Sequence, residues 1–496
     1  MDATATKRIL EGRLPLEIAR FGVPVALGMG LQVTFNLVDA YLVSRLQPEV
    51  AGPALGALGI CDQLSAMGTI LSYGVTTAST AMVARAAGRG DHAAVKRILW
   101  QSLLLVGFLA LVFGLVFSVL AGPLVAGLIG AKGRVAELGI SYLRINSAMA
   151  FTGFFLLQLT SLQRALGSAK TPMVLLVLSN VLNVFLAVLF IYGPGAAPPI
   201  FSWGPPLAAA LHIPRMELEG AAWATALART LTLVPVLVIL ARRFEVIPVR
   251  GERGAHWATL GRLWRVAWPS SAQFVVRVVA VLITVSVVAR AFTTPEDQSA
   301  STALGVALRL ETWALFVSIG WGSAAQTFVA QNLGAGKDAR ARASARWAVI
   351  YNAVFMAGLA LVYLFASAPI IGFFDSHPEV VDDATHYLRV VGLAYLGLGT
   401  GVVFGSAING AGATRTTLLT DLSVVLLVQL PLCALAVVLP GATQMRLWLA
   451  VATAYLLTGA AFAAVFRWTP WMRAANSLEQ EELELQAQAP RSGPLG

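Results

Sequence analysis

Charge is scarce in this sequence. Asp, Glu, Lys and Arg make up 12% of 496 residues, against roughly 25% in a soluble domain. Hydrophobic residues reach 57%, and that balance excludes a soluble globular protein in favour of an integral membrane one. Cysteine is nearly missing as well. Cys61 and Cys433 are the only two and both fall inside apolar runs, so no disulfide framework or redox pair is implied. The five histidines (His92, His212, His256, His377 and His386) lie in loops or at the ends of apolar segments. None has the spacing of metal ligands, and no Ser–His or Cys–His pairing stands at membrane depth. A membrane-embedded enzyme is therefore the weakest reading of the chain.

What the chain has in abundance is long apolar segments. Windows of about 20 residues cross roughly 30 Å of hydrocarbon, and such windows lie near 15–45, 54–84, 98–127, 137–163, 172–192, 220–241, 266–291, 302–330, 345–374, 385–409, 416–439 and 446–467. They predict twelve crossings. The chain also repeats itself. Val83-Ala84-Arg85-Ala86-Ala87-Gly88-Arg89-Gly90 is echoed by Val329-Ala330-Gln331-Asn332-Leu333-Gly334-Ala335-Gly336, an offset of 334 − 88 = 246. Tyr142-Leu143-Arg144 recurs as Tyr387-Leu388-Arg389, with 389 − 144 = 245, and Gly167-Ser168-Ala169 loosely as Gly412-Ala413-Thr414, again 245 apart. Three landmarks in one register mean two copies of a six-span unit. Duplicated bundles commonly place a substrate site between their halves.

The formal net charge of +10 does not signal nucleic acid. Basic residues gather in alternate loops, as at Arg85, Arg89, Lys96 and Arg97 or at Lys337, Arg340, Arg342 and Arg346, while 369–385 has none. This positive-inside bias predicts a multi-pass protein of the cell membrane with both termini in the cytoplasm, membrane lipid as its surroundings and no nucleic-acid partner. The expected organisation is a cytoplasmic N-terminus (1–13), an N-lobe (14–241), an Arg-rich cytoplasmic linker (242–265), a C-lobe (266–468) and a disordered cytoplasmic tail (469–496). The Pro-rich connector 193–219, with Trp203, reads as an external cap. The glycine-punctuated turns read as helix ends. Neither has the Lys-Ser/Thr of a phosphate loop nor a preceding strand.

Several stretches resemble the multidrug and toxic compound extrusion (MATE) family: Asn36-Leu37-Val38-Asp39, Gln331-Asn332 before Gly334-Ala335-Gly336, Thr171-Pro172 with Asn180 and Asn183, and Gly220-Ala221-Ala222-Trp223-Ala224-Thr225. The likeness covers 14–468. It implies an all-α integral membrane fold of twelve transmembrane helices in two pseudo-symmetric six-helix bundles arranged as a V. It also implies alternating access, a monomer, and export of cationic or amphipathic small molecules driven by protons or sodium ions, with no other cofactor.

Gln32, Asn36 and Asp39 fall at i, i+4 and i+7, on one face of the first span. An intramembrane acid costs about 2.5–3.5 kcal/mol to insert and points to function by default. Withdrawal from water favours the neutral carboxyl, as a proton-exchanging group requires; the alternative is a hydrated or arginine-paired Asp39 near the outer end. In the family this position is the coupling acid, and bending at the proline matching Pro24 accompanies its protonation; a static kink is the competing reading. Asn183 and Thr225 match neutral ligands of the family's cation site, with Asn180 a polar neighbour, so a possible sodium site joins Asp39, Asn183 and Thr225. Members with the full site carry a second aspartate where this chain has Ala187, which favours protons. Interhelical hydrogen bonding is the other role open to the asparagines.

Arg229 lies four residues after Thr225 on the same face. A structural ion pair with Asp39, an exchangeable gate and a residue that meets no acid are all open. Glu311 follows Ala303-Leu304-Gly305 by the interval at which Asp62 follows Ala54-Leu55-Gly56, and Gln32, Arg229, Arg277 and Glu311 are candidates for the substrate cleft. Arg309 and Arg277 are the candidate partners of Glu311, and Asp421 is expected to be hydrated near the cytoplasmic end. A flippase for lipid-linked saccharide precursors is the alternative function, favoured by Arg229, Arg277 and Arg309 and opposed by the span count.

Overall fold

The computed structural model describes residues 3–244, 254–294, 297–374 and 377–474. A short helix α1 (Ala3–Glu11) precedes the spans α2 (Leu14–Ser44), α3 (Pro48–Arg89) and α4 (His92–Val119). Helices α5 (Gly133–Ala148) and α6 (Ala150–Ala165) follow, then α7 (Lys170–Tyr192), the short α8 (Gly204–Ala210) and α9 (Glu217–Phe244). The second half holds α10 (Trp257–Ala291), α11 (Ser299–Gly334), α12 (Asp338–Gly372), α13 (Pro378–Gly410), α14 (Thr414–Val424), α15 (Leu430–Val438) and α16 (Gln444–Trp468). Eleven segments are long and apolar enough to cross a membrane, α14 and α15 counting as one through a π-helical turn at Val425–Gln429. The pair α5 and α6 makes a twelfth, bent by 46° where Met149 leaves helical geometry (φ −96°, ψ 9°). Twelve spans in two sets of six match the sequence expectation. There is no strand among the described residues.

The segment boundaries differ in detail. Both α9 and α10 reach into 242–265, and the middle of that stretch, 245–253, lies outside the described residues, as does 475–496 of the tail. Residues 469–474 are packed: Trp471 is 3% exposed, stacks on Phe466 with ring centroids 5.1 Å apart and donates its Nε1–H to the Phe466 carbonyl at 2.9 Å. Within 193–219, Trp203 stacks on Phe185 of α7 (5.2 Å, 9° between planes). His256 caps α10, its Nδ1 accepting from Thr259 N at 3.3 Å. Burial, with Arg97 and Arg262 beside it, holds this imidazole below the usual histidine range, which keeps the accepting nitrogen free of a proton.

The halves meet along a seam that obeys the repeat. Helix α2 packs on α11, with Phe21 edge-on to Phe328 at 5.5 Å, and α3 packs on α10 and α11. A side chain added at Gly74 would run into Ala267 and Ser271 of α10; one at Gly320, where 320 − 74 = 246, would run into Val25 and Ala26 of α2. At the end bearing the basic turns, Gly88 sits against the Gln331 carbonyl and Gly334 against that of Arg85. Arg85 donates to the Ala411 carbonyl at 2.7 Å. Gln331 donates to the Ala165 carbonyl at 2.8 Å, and both offsets are again 246 (331 − 85 and 411 − 165). These glycines therefore serve close helix crossing; the left-handed turns belong to Gly90 (φ 77°) and Gly336 (φ 70°) two residues later. Helix α1 straps the same end, with Ala5 and Ile9 against Gly167 of the first half. Lys337 donates to Leu10 O at 3.2 Å and Arg340 to Ile9 O at 3.1 Å from the second.

The crossing makes a direct prediction. Gly88 lies in the last turn of α3 with helical geometry, where leucine has a better helix propensity than glycine by up to about 1 kcal/mol, so Gly88→Leu leaves α3 helical while its side chain wedges the seam. Spin labels at His92 and Asp338 should report a longer distance in the variant; an unchanged distance distribution contradicts a tight crossing.

Candidate functional site

Four helices of the first half bring ionisable groups together. Asp39 on α2 buries its Oδ1 without a hydrogen-bond partner. Arg229 on α9 and Asp62 on α3 act on it electrostatically, and Tyr142 on α5 senses all three. The cluster is therefore two acids, one guanidinium and one phenol. Arg229 forms no hydrogen bond or ion pair with Asp39. Its guanidinium lies over Gly153 of α6, about where a side chain there would stand. In this conformation it is a charged neighbour of Asp39 and not its bonded partner.

Asn183 and Thr225 are brought into contact, as the sequence pairs them: Asn183 Nδ2 donates to Thr225 Oγ1 at 2.7 Å between α7 and α9. Asn180 and Gln32 are half-buried and their side chains make no hydrogen bond. The side chain of Asn36 lies outside the described residues. Ala187 is fully buried in an apolar cluster that also holds Leu42 and Ala221, so apolar packing fills the place where a second acid would stand. Among the described residues no three His, Cys, Asp or Glu side chains group as metal ligands. Pro24 stands inside α2 beside the crossing of Gly320 on Val25 and Ala26. It has a counterpart in Pro269 inside α10, 269 − 24 = 245. Each proline leaves the carbonyl four residues earlier without its helical donor.

In the second half the ion pairing differs from expectation. Asp421 is not hydrated but 3% exposed. It accepts from Gln273 Nε2 at 2.6 Å and from Arg277 Nε at 2.9 Å, and a chain of bonds continues through Asn409 (3.4 Å to Gln273 Oε1) to Thr417 (2.7 Å). Arg277 thus belongs to Asp421, not to Glu311. Its side chain is 28% exposed, and Tyr73 reaches the pair from α3 across the seam, its ring tilted 41° against Phe274 at 5.2 Å. Glu311 is 6% exposed within the second bundle. Arginine does not reach it. Tyr455 donates to its Oε1 at 2.6 Å, and Tyr387 and Tyr395 to its Oε2 at 2.7 and 3.3 Å.

Sequence reasoning singles out Asp39, Asn183 and Thr225 and pairs Asp62 with Glu311 as repeat-related acids flanking the cleft, but assigns no site role to Tyr142 or the three tyrosines. The signal is present: Tyr142 and Tyr387 are repeat landmarks, and Asp62 and Glu311 hold equivalent intervals.

With that geometry in hand, the comparisons with known proteins are consistent with one another. The FAD transporter of Shewanella oneidensis is 26% identical over 448 residues, 89% of this chain and 91% of the relative. The multidrug export protein MepA of Staphylococcus haemolyticus is 22% identical over 402 residues, covering 80% and 81%. Among solved structures, a MATE in complex with MaL6 superposes with a TM-score of 0.81 at 21% identity, covering 95% of this chain and 99% of that one. A MOP superfamily transporter from Pyrococcus furiosus gives 0.81 at 22%, covering 95% and 98%. These relatives and neighbours are transporters, not enzymes. The MatE family model matches twice, over residues 24–189 and 269–435, with starts 269 − 24 = 245 residues apart, and the chain is a member of the MatE family of membrane transporters.

Proposed function

We propose that this chain is a secondary active antiporter of the cytoplasmic membrane, with both termini in the cytoplasm, working as a monomer. It exports cationic or lipophilic small molecules in exchange for protons, and Asp39 is the coupling acid. The observation that carries this reading is the buried, unpartnered Oδ1 of Asp39 beside Arg229 and Asp62. A lone carboxylate oxygen held from water is satisfied by taking a proton or by meeting a cationic substrate, so the two compete. Each occupant favours one state of the bundle, and only that difference in affinity moves the equilibrium. Sodium at Asp39, Asn183 and Thr225 is the weaker choice. Arg229 already places a positive charge beside the acid, Thr225 is engaged with Asn183, and Ala187 adds no charge.

A second reading has an observation of its own. The partly exposed Arg277 suits an anionic amphipathic substrate, and one relative is named as an FAD transporter. Reconstituted vesicles separate the cases, with pH and sodium gradients imposed one at a time and ethidium or FAD as cargo. Ethidium movement driven by the pH gradient alone is expected. Movement driven only by sodium overturns proton coupling, and FAD movement without ethidium movement favours the second reading.

A further inference from the structure

Glu311 has the surroundings of a working acid. Among the described residues no Lys, Arg or His bonds it, and its only polar contacts are the phenols of Tyr387 and Tyr395 on α13 and Tyr455 on α16. Other groups nearby carry no charge that would compensate it. Tyr363 on α12 stacks edge-on to Tyr395 at 6.1 Å and directs its hydroxyl to the Leu310 carbonyl, and Cys433 on α15 faces Tyr455. Helices α2, α3 and α10, packed on other faces of α11, present Asp39, Tyr73 and Arg277, none of which reaches Glu311.

Phenol oxygens both donate and accept. The pocket therefore satisfies two forms of the acid. Ionised, Glu311 accepts three hydrogen bonds. Protonated at Oε2, it donates to the Tyr395 oxygen, whose contact is the longest of the three at 3.3 Å, while that phenol turns its own hydrogen aside. Tyr455 is half-buried whereas Tyr387 and Tyr395 are buried, which marks the α16 side as the way in.

The repeat gives an independent pointer. Tyr142 and Tyr387 share one repeat position, 245 apart, and Asp62 on α3 and Glu311 on α11 lie three residues off the 246 register of those helices (311 − 62 = 249), about one turn apart on related faces; the first-half pair lies in the electrostatic cluster with Asp39. At the register of Asp39 the second half has Thr284 (39 + 245), whose hydroxyl is committed to Ala280 O. Each half thus holds one acid near the same tyrosine position, exposed at Asp62 and buried at Glu311.

We propose that Glu311 and its three phenols form a second proton-binding site, loaded and emptied once per cycle alongside Asp39. This rests on the proton-coupled antiport reading. The step makes and breaks one O–H bond: a proton from water adds to Oε2 and later returns to water. Protonation turns charge-assisted hydrogen bonds into neutral ones of about half the strength, loosening the grip of α13 and α16 on the seam helix α11.

The test uses the full chain with carbon-13-labelled glutamate, in lipid nanodiscs for infrared difference spectra between acid and alkaline pH, and in vesicles for protons released per ethidium. Wild type should show a labelled protonated-carboxyl band that survives Asp39→Asn and disappears in Glu311→Gln, a change that preserves size and an acceptor oxygen. The proton count should fall by about half in Glu311→Gln, each site contributing its own linked proton. Should Glu311→Gln fail to fold, Tyr395→Phe must shift the band. A band unchanged by either variant, or a count equal to wild type, overturns the proposal. The spectra need no transport, so a failure of Asp39 as coupling acid, seen as normal export by Asp39→Asn, reads separately.

Discussion

Asp39→Asn should leave the protein folded and inserted but reduce gradient-driven export to the level of empty vesicles. Asparagine keeps the shape of the protonated acid and cannot release the proton, so the variant is held in one of the two occupancy states. Because proton and cationic substrate compete for the same oxygen, the variant should also bind ethidium more weakly, by about tenfold or more if the lost interaction is worth at least 1.4 kcal/mol. Loss of coupling is the larger effect, since a ligand with equal affinity for two states shifts neither. Efflux from cells and uptake into vesicles are the measurements, with binding by equilibrium dialysis. Export at the wild-type rate in both assays removes Asp39 from the mechanism.

Arg277→Ala should destabilise the fold more than any change at the Asp39 cluster. Asp421 is buried and shares its charge with Arg277 and Gln273. Removing one partner of a buried pair typically costs about 3–5 kcal/mol because the other charge is stranded, whereas apolar replacement of both is often neutral. Arg277→Ala should therefore unfold earlier in thermal melts in detergent, and Arg277→Leu with Asp421→Leu should recover most of the loss. A double variant as unstable as the single one would mean that the pair is not what holds α10 to α14.

Much of the fold is legible in the sequence. Apolar stretches of span length announce themselves, and the repeat can be found because α3 and α11 keep the same glycines where they cross. The bend at Met149 is not legible, since neither proline nor glycine marks it. Gly88 and Gly334 look like parts of a turn and instead serve a crossing, because a sequence shows that glycine is present but not what comes close to it. In the site, Asn183 and Thr225 stand out through family likeness. The partners of Arg277 and Glu311 do not, because pairing between helices depends on rotation and depth that spacing along one helix leaves open. Asp421 looks wet seven residues into α14, yet α10 covers it with Gln273 and Arg277.

The reciprocity at the basic end has an evolutionary reading. A glycine of α3 resting on α11, and the matching glycine of α11 resting on α3, is how two identical subunits join across a dyad. A half-length ancestor could have made this joint with a second copy of itself, and fusion then freed each half to specialise. Arg85 and Gln331, or Asp39 and Thr284, are places where the twins have since parted.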